Sequence, residues 1–213
     1  ESGAMVLRFI DGKTLEPENL RDHSTIQKVV SLLKKCHLEM PQNLPGSTLI
    51  FWVFQVIRGY AKTMREGQSR MIPQLSRFME INRQLEKTVG AVEIYFGHND
   101  LLAGNFIDDG QRLWLIDWDY AGFNSPLFDL ANLASNNEYT EILERLLLAS
   151  YFEQEPTEDL WKRYFAMKCA SLLREAMWSM VSEIHSTLDF DYVQYTTDNL
   201  DRFEKTYVQF EKL

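Results

Sequence analysis

The sequence has few of the features that would tie a chain to a membrane or to an oxidising compartment. Its 213 residues include two cysteines, Cys36 and Cys169, and both lie in apolar helical patterns and not at disulfide or metal-ligand spacing. It contains no N-x-S/T acceptor site and no signal-peptide pattern. The longest apolar run, residues 49–54, is far shorter than the roughly 20 residues that span a bilayer. We therefore expect a cytoplasmic protein with two reduced core cysteines and no membrane insertion.

The sequence also has fewer basic than acidic residues. The chain has 22 lysines and arginines against 31 aspartates and glutamates, which gives a net charge of −9 at pH 7. Phosphate backbones repel an acidic chain, so this balance argues against a nucleic-acid-binding protein. It is compatible with a small cationic partner. The length and the hydrophobic content of 45% fit one soluble globular domain.

Helical periodicity runs through most of the chain and surrounds a short segment of strands. Apolar spacing predicts helices over residues 24–37, 48–65, 73–89, 127–134, 140–152, 158–186 and 189–210. Ser24 and Gln27 form a capping-box pattern at the first of them. The Asp109-Gly110 pair predicts a tight β-hairpin. Short aromatic and branched segments predict strands over residues 5–10, 92–97, 105–108 and 112–117. The predicted fold class is α+β and mostly α-helical.

A histidine, an aspartate and an asparagine follow one another at fixed spacing after the second predicted strand. His98, Asp100 and Asn105 match the pattern H-x-D-L-x-x-x-N of a kinase catalytic loop. An aspartate beside an acceptor hydroxyl can orient the hydroxyl and accept its proton, and an amide oxygen further along the loop can bind Mg²⁺. Three residues at fixed offsets also occur by chance, so the pattern needs a second element.

Asp117 supplies that second element. It ends an apolar strand just after the hairpin, where the kinase plan has its main metal-binding carboxylate. Cations are needed there because they bridge the phosphates and neutralise developing charge. The alternative is that Asp100 and Asp117 are turn residues, which would make both offsets accidental; Asp108 and Asp109 we do expect to be turn residues. His98 we expect to hydrogen-bond the loop backbone and not to act as acid or base.

Six segments carry a resemblance to a known family: FGHNDLLAGNFI, LWLIDWDYAG, PLFDLAN, RFIDGKTLEPENLR, KKCHLEMP and LLREAMWSMVSEIHSTLDFDYVQYTTDNLDRFEKTY. They resemble the choline/ethanolamine kinase branch of the aminoglycoside-phosphotransferase-like kinases. The resemblance covers nearly all of the chain and implies a protein-kinase-like C-terminal lobe, in which a small β-hairpin carries the catalytic and metal loops.

The same resemblance implies how the chain is divided. Residues 1–15 correspond to the remnant of a hinge strand, and residues 16–213 to the lobe that binds the substrate and performs catalysis. No Gly-rich loop and no strand lysine precede the catalytic loop, so the N-terminal nucleotide lobe is absent from this sequence. We therefore expect weak or no ATP turnover from this chain alone.

The resemblance also assigns roles to the residues of the predicted site. Asp100 matches the family's catalytic base, and Asn105 and Asp117 match its Mg²⁺ ligands. Asp119 occupies the acidic position two residues after the metal-binding aspartate, and we expect it on the substrate side. Asp129 matches a buried aspartate that braces the catalytic loop, so we expect it to give structural support.

The C-terminal segment is rich in aromatic residues and acids. Aromatic faces with carboxylates nearby bind a quaternary ammonium group well, since that group cannot donate a conventional hydrogen bond. Trp178 resembles a tryptophan of the family's cation cage, and Tyr192 and Tyr195 resemble its tyrosine-bearing helix; Phe190 lies beside them in the sequence. The alternative for each aromatic residue is core packing. The acids of this segment are Glu175, Glu183, Asp189 and Asp191.

Glu175 departs from the family pattern. Choline kinases of the animal type have a second tryptophan at this position. The departure leaves room for a primary amine or another cationic alcohol as the substrate. We therefore include Glu175 among the predicted substrate-binding residues.

Together these features predict a phosphotransferase that moves a phosphoryl group from ATP, with Mg²⁺, to the hydroxyl of choline, ethanolamine or a similar cationic amino alcohol. An aminoglycoside or thiamine kinase is the alternative of the same class. A lobe without catalysis that binds a cation or a partner is the alternative of another class. A metallohydrolase would need a second histidine at ligand spacing beside His98. The identity of the alcohol and the oligomeric state, a homodimer included, stay open.

Overall fold

The structure is a computed structural model that describes residues 8–213, and most of these residues lie in helices. The helices are α1 (Pro17–Leu20), α2 (His23–Leu38), α3 (Val53–Glu66), α4 (Leu75–Val89), α5 (Pro126–Asn136), α6 (Glu141–Phe152), α7 (Glu158–His185) and α8 (Tyr192–Phe210). Each helix that the periodicity predicts is present, with shifted ends. The single turn of α1 is not predicted by periodicity, because it is too short to show one.

The strands are short and form two small sheets. They are β1 (Lys13–Thr14), β2 (Tyr95–Gly97), β3 (Phe106–Asp108), β4 (Leu113–Leu115) and β5 (Gly122–Asn124). One sheet has the order β1-β3-β4 and the other pairs β2 with β5, and all pairings are antiparallel. The predicted hairpin is β3–β4, in which Phe106 lies opposite Leu115.

The strand predicted over residues 5–10 is not found where it was expected. Residues 5–7 lie outside the described residues, and residues 8–10 form no strand. The first described strand comes after the Asp11-Gly12 turn, where Lys13 pairs with Asp108.

The start of α2 also differs from the predicted capping box. Asp22 is the N-cap residue, since its Oδ2 accepts a hydrogen bond from the backbone N–H of Thr25 at 3.0 Å. The hydroxyl of Ser24 donates to the same carboxylate at 2.5 Å. A carboxylate at this position also interacts favourably with the positive end of the helix dipole, so Asp22 takes the role that the sequence suggested for Ser24.

The helix predicted from residue 48 begins at Val53, because the residues before it join the sheet. The N–H of Phe51 donates to the carbonyl of Phe123 at 2.9 Å, and the N–H of Phe123 donates to the carbonyl of Leu49 at 2.8 Å. Gly122 permits this approach, since a Cβ there would lie 2.8 Å from the Leu49 carbonyl oxygen. The partner strand lies far along the chain, so local periodicity does not reveal the pairing.

Helix α7 is the centre of the hydrophobic core. It packs against α3, α4, α5 and α8 and is buried along most of its length. The largest fully buried aromatic side chains are Phe54, Phe78, Phe106, Phe128, Tyr164 and Phe203. Burial of this much apolar surface holds the helices in place around the small sheets. The predicted class, α+β and mostly α-helical, is confirmed.

Both cysteines are buried free thiols, as the sequence predicts. Burial raises the pKa of Cys36 to about 12 and raises the pKa of Cys169 as well. Both thiols are therefore protonated and unreactive at neutral pH. Among residues 8–213, no helix combines the length and the apolar character needed to cross a lipid bilayer.

Candidate active site

The candidate active site is built on the loop that joins β2 to β3, residues 98–105. Asn99 has a φ of +67°, in the left-handed region that asparagine tolerates better than most residues. Its buried side-chain amide donates to the carbonyls of Tyr120 at 3.0 Å and Gly122 at 3.2 Å. Asn99 therefore ties this loop to the one that contains Asp117.

Asp129, in the first turn of α5, binds the backbone of the same loop. Its Oδ2 accepts from the backbone N–H of His98 at 2.8 Å, and its Oδ1 accepts from the N–H of Asn99 at 2.7 Å. The imidazole of His37 donates to Oδ2 at 3.0 Å. Burial raises the pKa of Asp129, but the hydrogen bond and charge of His37, with the contacts to His98, outweigh it and hold the pKa below its usual value. A buried ionised carboxylate thus fixes two consecutive residues of the loop.

Two further polar residues of α5 and its C-terminal end, Asn132 and Asn137, fix the residue after Asp100. The Oδ1 of Asn132 accepts from the N–H of Leu101 at 2.6 Å, and the Nδ2 of Asn137 donates to the carbonyl of Leu101 at 3.1 Å. Both asparagines are buried. Sequence reasoning missed this role, because an asparagine near the end of a helix reads equally well as a cap.

Asn105 and Asp117 lie on neighbouring loops joined by hydrogen bonds. The Nδ2 of Asn105 donates to the carbonyl of Asp100 at 2.9 Å, which leaves its Oδ1 as the atom able to ligate a cation. The N–H of Ile116 donates to the carbonyl of Asn105 at 3.0 Å. Asp117 follows with a φ of +62° and an exposed carboxylate. His98 completes the link, since its Nε2 donates to the carbonyl of Ile116 at 2.9 Å.

The donor set of Asn105 and Asp117 fits Mg²⁺ in a shared site. Among residues 8–213, no three or more histidines, cysteines, aspartates and glutamates cluster closely enough to hold a metal by themselves. Mg²⁺ is commonly bound by one or two carboxylates and completed by substrate phosphates and water. An amide oxygen and an exposed carboxylate on adjacent loops suit that arrangement.

Asp100 lies beside a buried cation that no motif indicates. Its Oδ1 is 3.8 Å from Nη1 of Arg174 on α7, and this Nη1 also donates to Oε2 of Glu175 at 2.9 Å. The Arg174 guanidinium lies 4.7 Å from the centre of the Tyr120 ring. Burial raises the pKa of Asp100; Arg174 opposes the shift and Glu175 adds to it. Arg174 was missed because it comes from a helix far along the chain.

The aromatic residues predicted to bind the substrate form one cluster, hereafter the aromatic cluster: Trp178, Phe190, Tyr192 and Tyr195. Ring centres lie 4.9 Å apart for Phe190 and Tyr192, and 6.3 Å apart for Trp178 and Tyr195. The hydroxyl of Tyr195 donates to Oε1 of Glu175 at 2.8 Å. Phe190 is 55% exposed, so the cluster opens to solvent on that side. Glu175 is therefore the acid that contacts the cluster.

The other acids of this region have different surroundings. Asp119 and Asp189 are exposed. Glu183 forms an ion pair with Arg70 at 2.7 Å. Asp191 is the N-cap of α8, where its carboxylate accepts a backbone hydrogen bond. The structure thus brings Glu175 to the aromatic cluster and gives Glu183 and Asp191 structural partners.

Asp109 lies in the turn of the β3–β4 hairpin, as predicted, whereas Asp108 is the last residue of β3 and pairs with Leu113. The Oδ1 of Asp108 accepts from the N–H of Gly110 at 2.8 Å. Hydrogen bonds from the Trp114 indole and from the backbone N–H of Arg112 lower the pKa of Asp109 to about 2. These two acids are engaged within the hairpin itself.

Comparison with solved structures identifies the class of fold. A crystal structure of a choline/ethanolamine kinase family protein from Mesorhizobium loti superposes with a TM-score of 0.81 over 93% of this chain and 68% of that chain, at 22% identity. The fold is therefore that of a protein-kinase-like C-terminal lobe, with the small hairpin between the two loops of the site.

Sequence similarity then gives the family. The family model for choline/ethanolamine kinase matches residues 2–144 of this chain. "Probable ethanolamine kinase" of Arabidopsis thaliana is 26% identical over 94% of this chain and 60% of its own length. "Probable ethanolamine kinase A" of Dictyostelium discoideum is 32% identical over 96% of this chain and 66% of its own length. The chain belongs to the choline/ethanolamine kinase family, and it spans about 60% of the length of the Arabidopsis relative.

Proposed function

We propose that this chain carries the catalytic and acceptor-binding part of an ATP-dependent kinase that phosphorylates the hydroxyl of a cationic amino alcohol such as choline or ethanolamine. The observation that supports this most is the position of Asp100. Its backbone carbonyl accepts from Asn105 at 2.9 Å, and its carboxylate lies 3.8 Å from Arg174, which binds Glu175. A potential base thus stands between a potential metal site and a potential cation site.

Asp100 would orient the acceptor hydroxyl and take its proton. A general base works best when its pKa approaches the operating pH, and burial shifts the pKa of Asp100 in that direction. The bonds to Leu101 from Asn132 and Asn137 hold the loop so that the carboxylate keeps one direction. Such preorganisation lowers the cost of reaching the transition state.

Asn105 and Asp117 would hold Mg²⁺ through one amide oxygen and one carboxylate. Held by these two residues, Mg²⁺ would supply positive charge that offsets the negative charge developing on the phosphates during transfer. The hydrogen bond from Ile116 to Asn105 sets the spacing between the two ligands. Because Asp117 is exposed, its carboxylate is accessible to a nucleotide phosphate and its ion.

The aromatic cluster would bind the cationic end of the alcohol. Faces of Trp178 and Tyr195 attract an ammonium group, and Glu175 adds a negative charge beside them. A quaternary ammonium is attracted by the aromatic faces and by the charge of Glu175, whereas a primary ammonium can also donate a hydrogen bond to Glu175. Both kinds of alcohol therefore belong in the test.

The experiment measures transfer of radiolabelled γ-phosphate from Mg-ATP to choline, ethanolamine, thiamine and an aminoglycoside. It uses the 213-residue chain and, in parallel, this chain together with any coding sequence that continues it. We expect incorporation into at least one of the two amino alcohols. Calorimetric binding of an amino alcohol without any transfer in either protein would favour the binding lobe over the kinase. Neither binding nor transfer would contradict the proposal.

A matched pair of variants tests the cation site. Trp178→Ala should raise the KM for the amino alcohol about tenfold, since it removes one cation–π partner of about 1–2 kcal/mol. Phe152→Ala removes a half-buried aromatic side chain at the end of α6 and should leave this KM unchanged. Equal effects of the two substitutions would count against the aromatic cluster as the cation site.

A further inference from the structure

Arg174 is a buried cation at the centre of the site. The residue is 2% exposed, and a charge in such a place is stable only with partners. Its guanidinium has Glu175 at 2.9 Å, Asp100 at 3.8 Å and the ring of Tyr120 at 4.7 Å. Within residues 8–213 its Nε has no hydrogen-bond partner. The ring of Phe51, 5.9 Å from the guanidinium, also lies beside this charge, which is therefore enclosed by two acids and by aromatic rings.

The catalytic loop itself contains no basic residue. Residues 98–105 read HNDLLAGN, without lysine or arginine. In the described part of the chain, Arg174 is the basic side chain that comes within 4.0 Å of the Asp100 carboxylate. Phosphoryl transfer places negative charge on the phosphoryl oxygens while the base takes up the proton of the hydroxyl, so a cation near the transferred group is chemically favourable.

Glu175 connects this cation to the aromatic cluster. One carboxylate oxygen accepts from Arg174, and the other accepts from the hydroxyl of Tyr195 at 2.8 Å. The Tyr195 ring in turn packs against Trp178, with ring centres 6.3 Å apart. An unbroken line of contacts therefore runs from the base to the cation site.

We infer that Arg174 is the positioning residue of Asp100 and that, through Glu175, it sets the distance between the base and the aromatic cluster. A guanidinium is planar and carries its N–H donors in a fixed fork, and here one arm of that fork, Nη1, faces both carboxylates, at 2.9 Å from Glu175 and 3.8 Å from Asp100. Stacking on Tyr120 prevents the fork from turning away. The inference rests on the proposed function, because it takes Asp100 to be the base.

Steady-state kinetics in the form of the protein that transfers phosphate tests the inference. Arg174→Met should lower kcat 10- to 100-fold, with a smaller change in the KM for the amino alcohol, because the base loses its direction. Arg174→Lys keeps the charge without the fork and should recover part of kcat. Glu175→Gln keeps the shape and should chiefly raise the KM for the alcohol. A kcat within twofold of wild type in Arg174→Met would overturn the inference and leave the proposed function intact.

Thermal unfolding supplies a readout that does not depend on activity. Arg174→Met, Asp100→Asn and the double variant form a cycle, and we expect the Tm loss of the double variant to be smaller than the sum of the single losses. Additive losses would contradict the Arg174–Asp100 contact. An inactive wild-type protein would contradict the proposed function, whatever the cycle shows. Should Arg174→Met fail to fold, the kcat of Arg174→Lys decides: a value equal to wild type would show that the fork is not needed.

Discussion

The imidazole of His37 and the carboxylate of Asp129 meet in the protein interior, with Nε2 and Oδ2 3.0 Å apart and neither side chain more than 1% exposed. An ionised carboxylate only accepts hydrogen bonds, so His37 donates through Nε2, and its Nδ1 lies 2.6 Å from the hydroxyl of Tyr151. The same carboxylate binds the backbone of His98 and Asn99. The shape of the candidate catalytic loop therefore depends on a buried pair that lies outside the site.

Removal of the charge at Asp129 should destabilise the whole chain. Asp129→Asn keeps the size of the side chain but replaces an acceptor oxygen with a donor that meets N–H groups. We expect a loss of about 3–5 kcal/mol in the free energy of unfolding, as for other buried pairs broken on one side. Urea denaturation gives the value, with Asp201→Asn on the exposed face of α8 as the control. Equal stability of the two variants would refute the bracing role.

The same residue should give the protein part of its acid sensitivity. The folded pKa of Asp129 lies below its usual value, because His37 and the loop contacts outweigh the effect of burial. Such a group contributes full stability above its unfolded pKa of about 3.9 and loses that contribution as the pH falls through the folded pKa.

We therefore expect the stability difference between wild type and Asp129→Asn to shrink as the pH falls below about 4. Urea denaturation at several pH values from about 6 to 3 measures it. Parallel pH profiles for the two proteins would show that Asp129 does not titrate between the folded and unfolded states in this range.

Local patterns were enough to predict the seven longer helices, α2 to α8, the β3–β4 hairpin and the main motif. The helical periodicity, the Asp109-Gly110 hairpin and the offsets of Asp100, Asn105 and Asp117 are all encoded within short windows of sequence. The structure places these three residues on adjoining loops. The chemical roles of these three residues are predictions that the kinetic experiments test.

Long-range contacts were not predictable in the same way. Arg174 comes to Asp100 only through the packing of α7, and Asn132 comes to Leu101 only through the packing of α5. The extended segment before α3 pairs with Phe123, whose identity no local pattern reveals. The cap at Asp22 was missed for another reason, since Ser24 and Asp22 are both good caps and only the backbone decides between them.

Two glycine substitutions test the packing of the sheet against the segment before α3. Gly122→Ala would place a Cβ 2.8 Å from the Leu49 carbonyl oxygen, which is backbone and cannot turn aside. We expect a loss of about 1–3 kcal/mol in the free energy of unfolding, as for other overpacked sites. Gly59→Ala, in α3, meets no atom within 4 Å and should gain about 0.5–1 kcal/mol. Thermal or urea unfolding compares them, and a neutral Gly122→Ala would mean that this segment moves away readily.

Asp100→Asn should separate activity from stability. The burial that raises the pKa of Asp100 means that its charge is costly in the folded state, although Arg174 offsets part of that cost. Removal of the charge should therefore change the Tm little, while loss of the base lowers kcat by about 10²- to 10⁴-fold.

Asp109→Asn is the matched control. Its carboxylate binds the Trp114 indole at 2.6 Å within the hairpin turn, so this substitution should affect stability without changing kcat. Kinetics and thermal unfolding of both variants, in the form of the protein that transfers phosphate, give the comparison. A large Tm loss with an unchanged kcat in Asp100→Asn would make Asp100 a structural residue and would remove the base from the proposed mechanism.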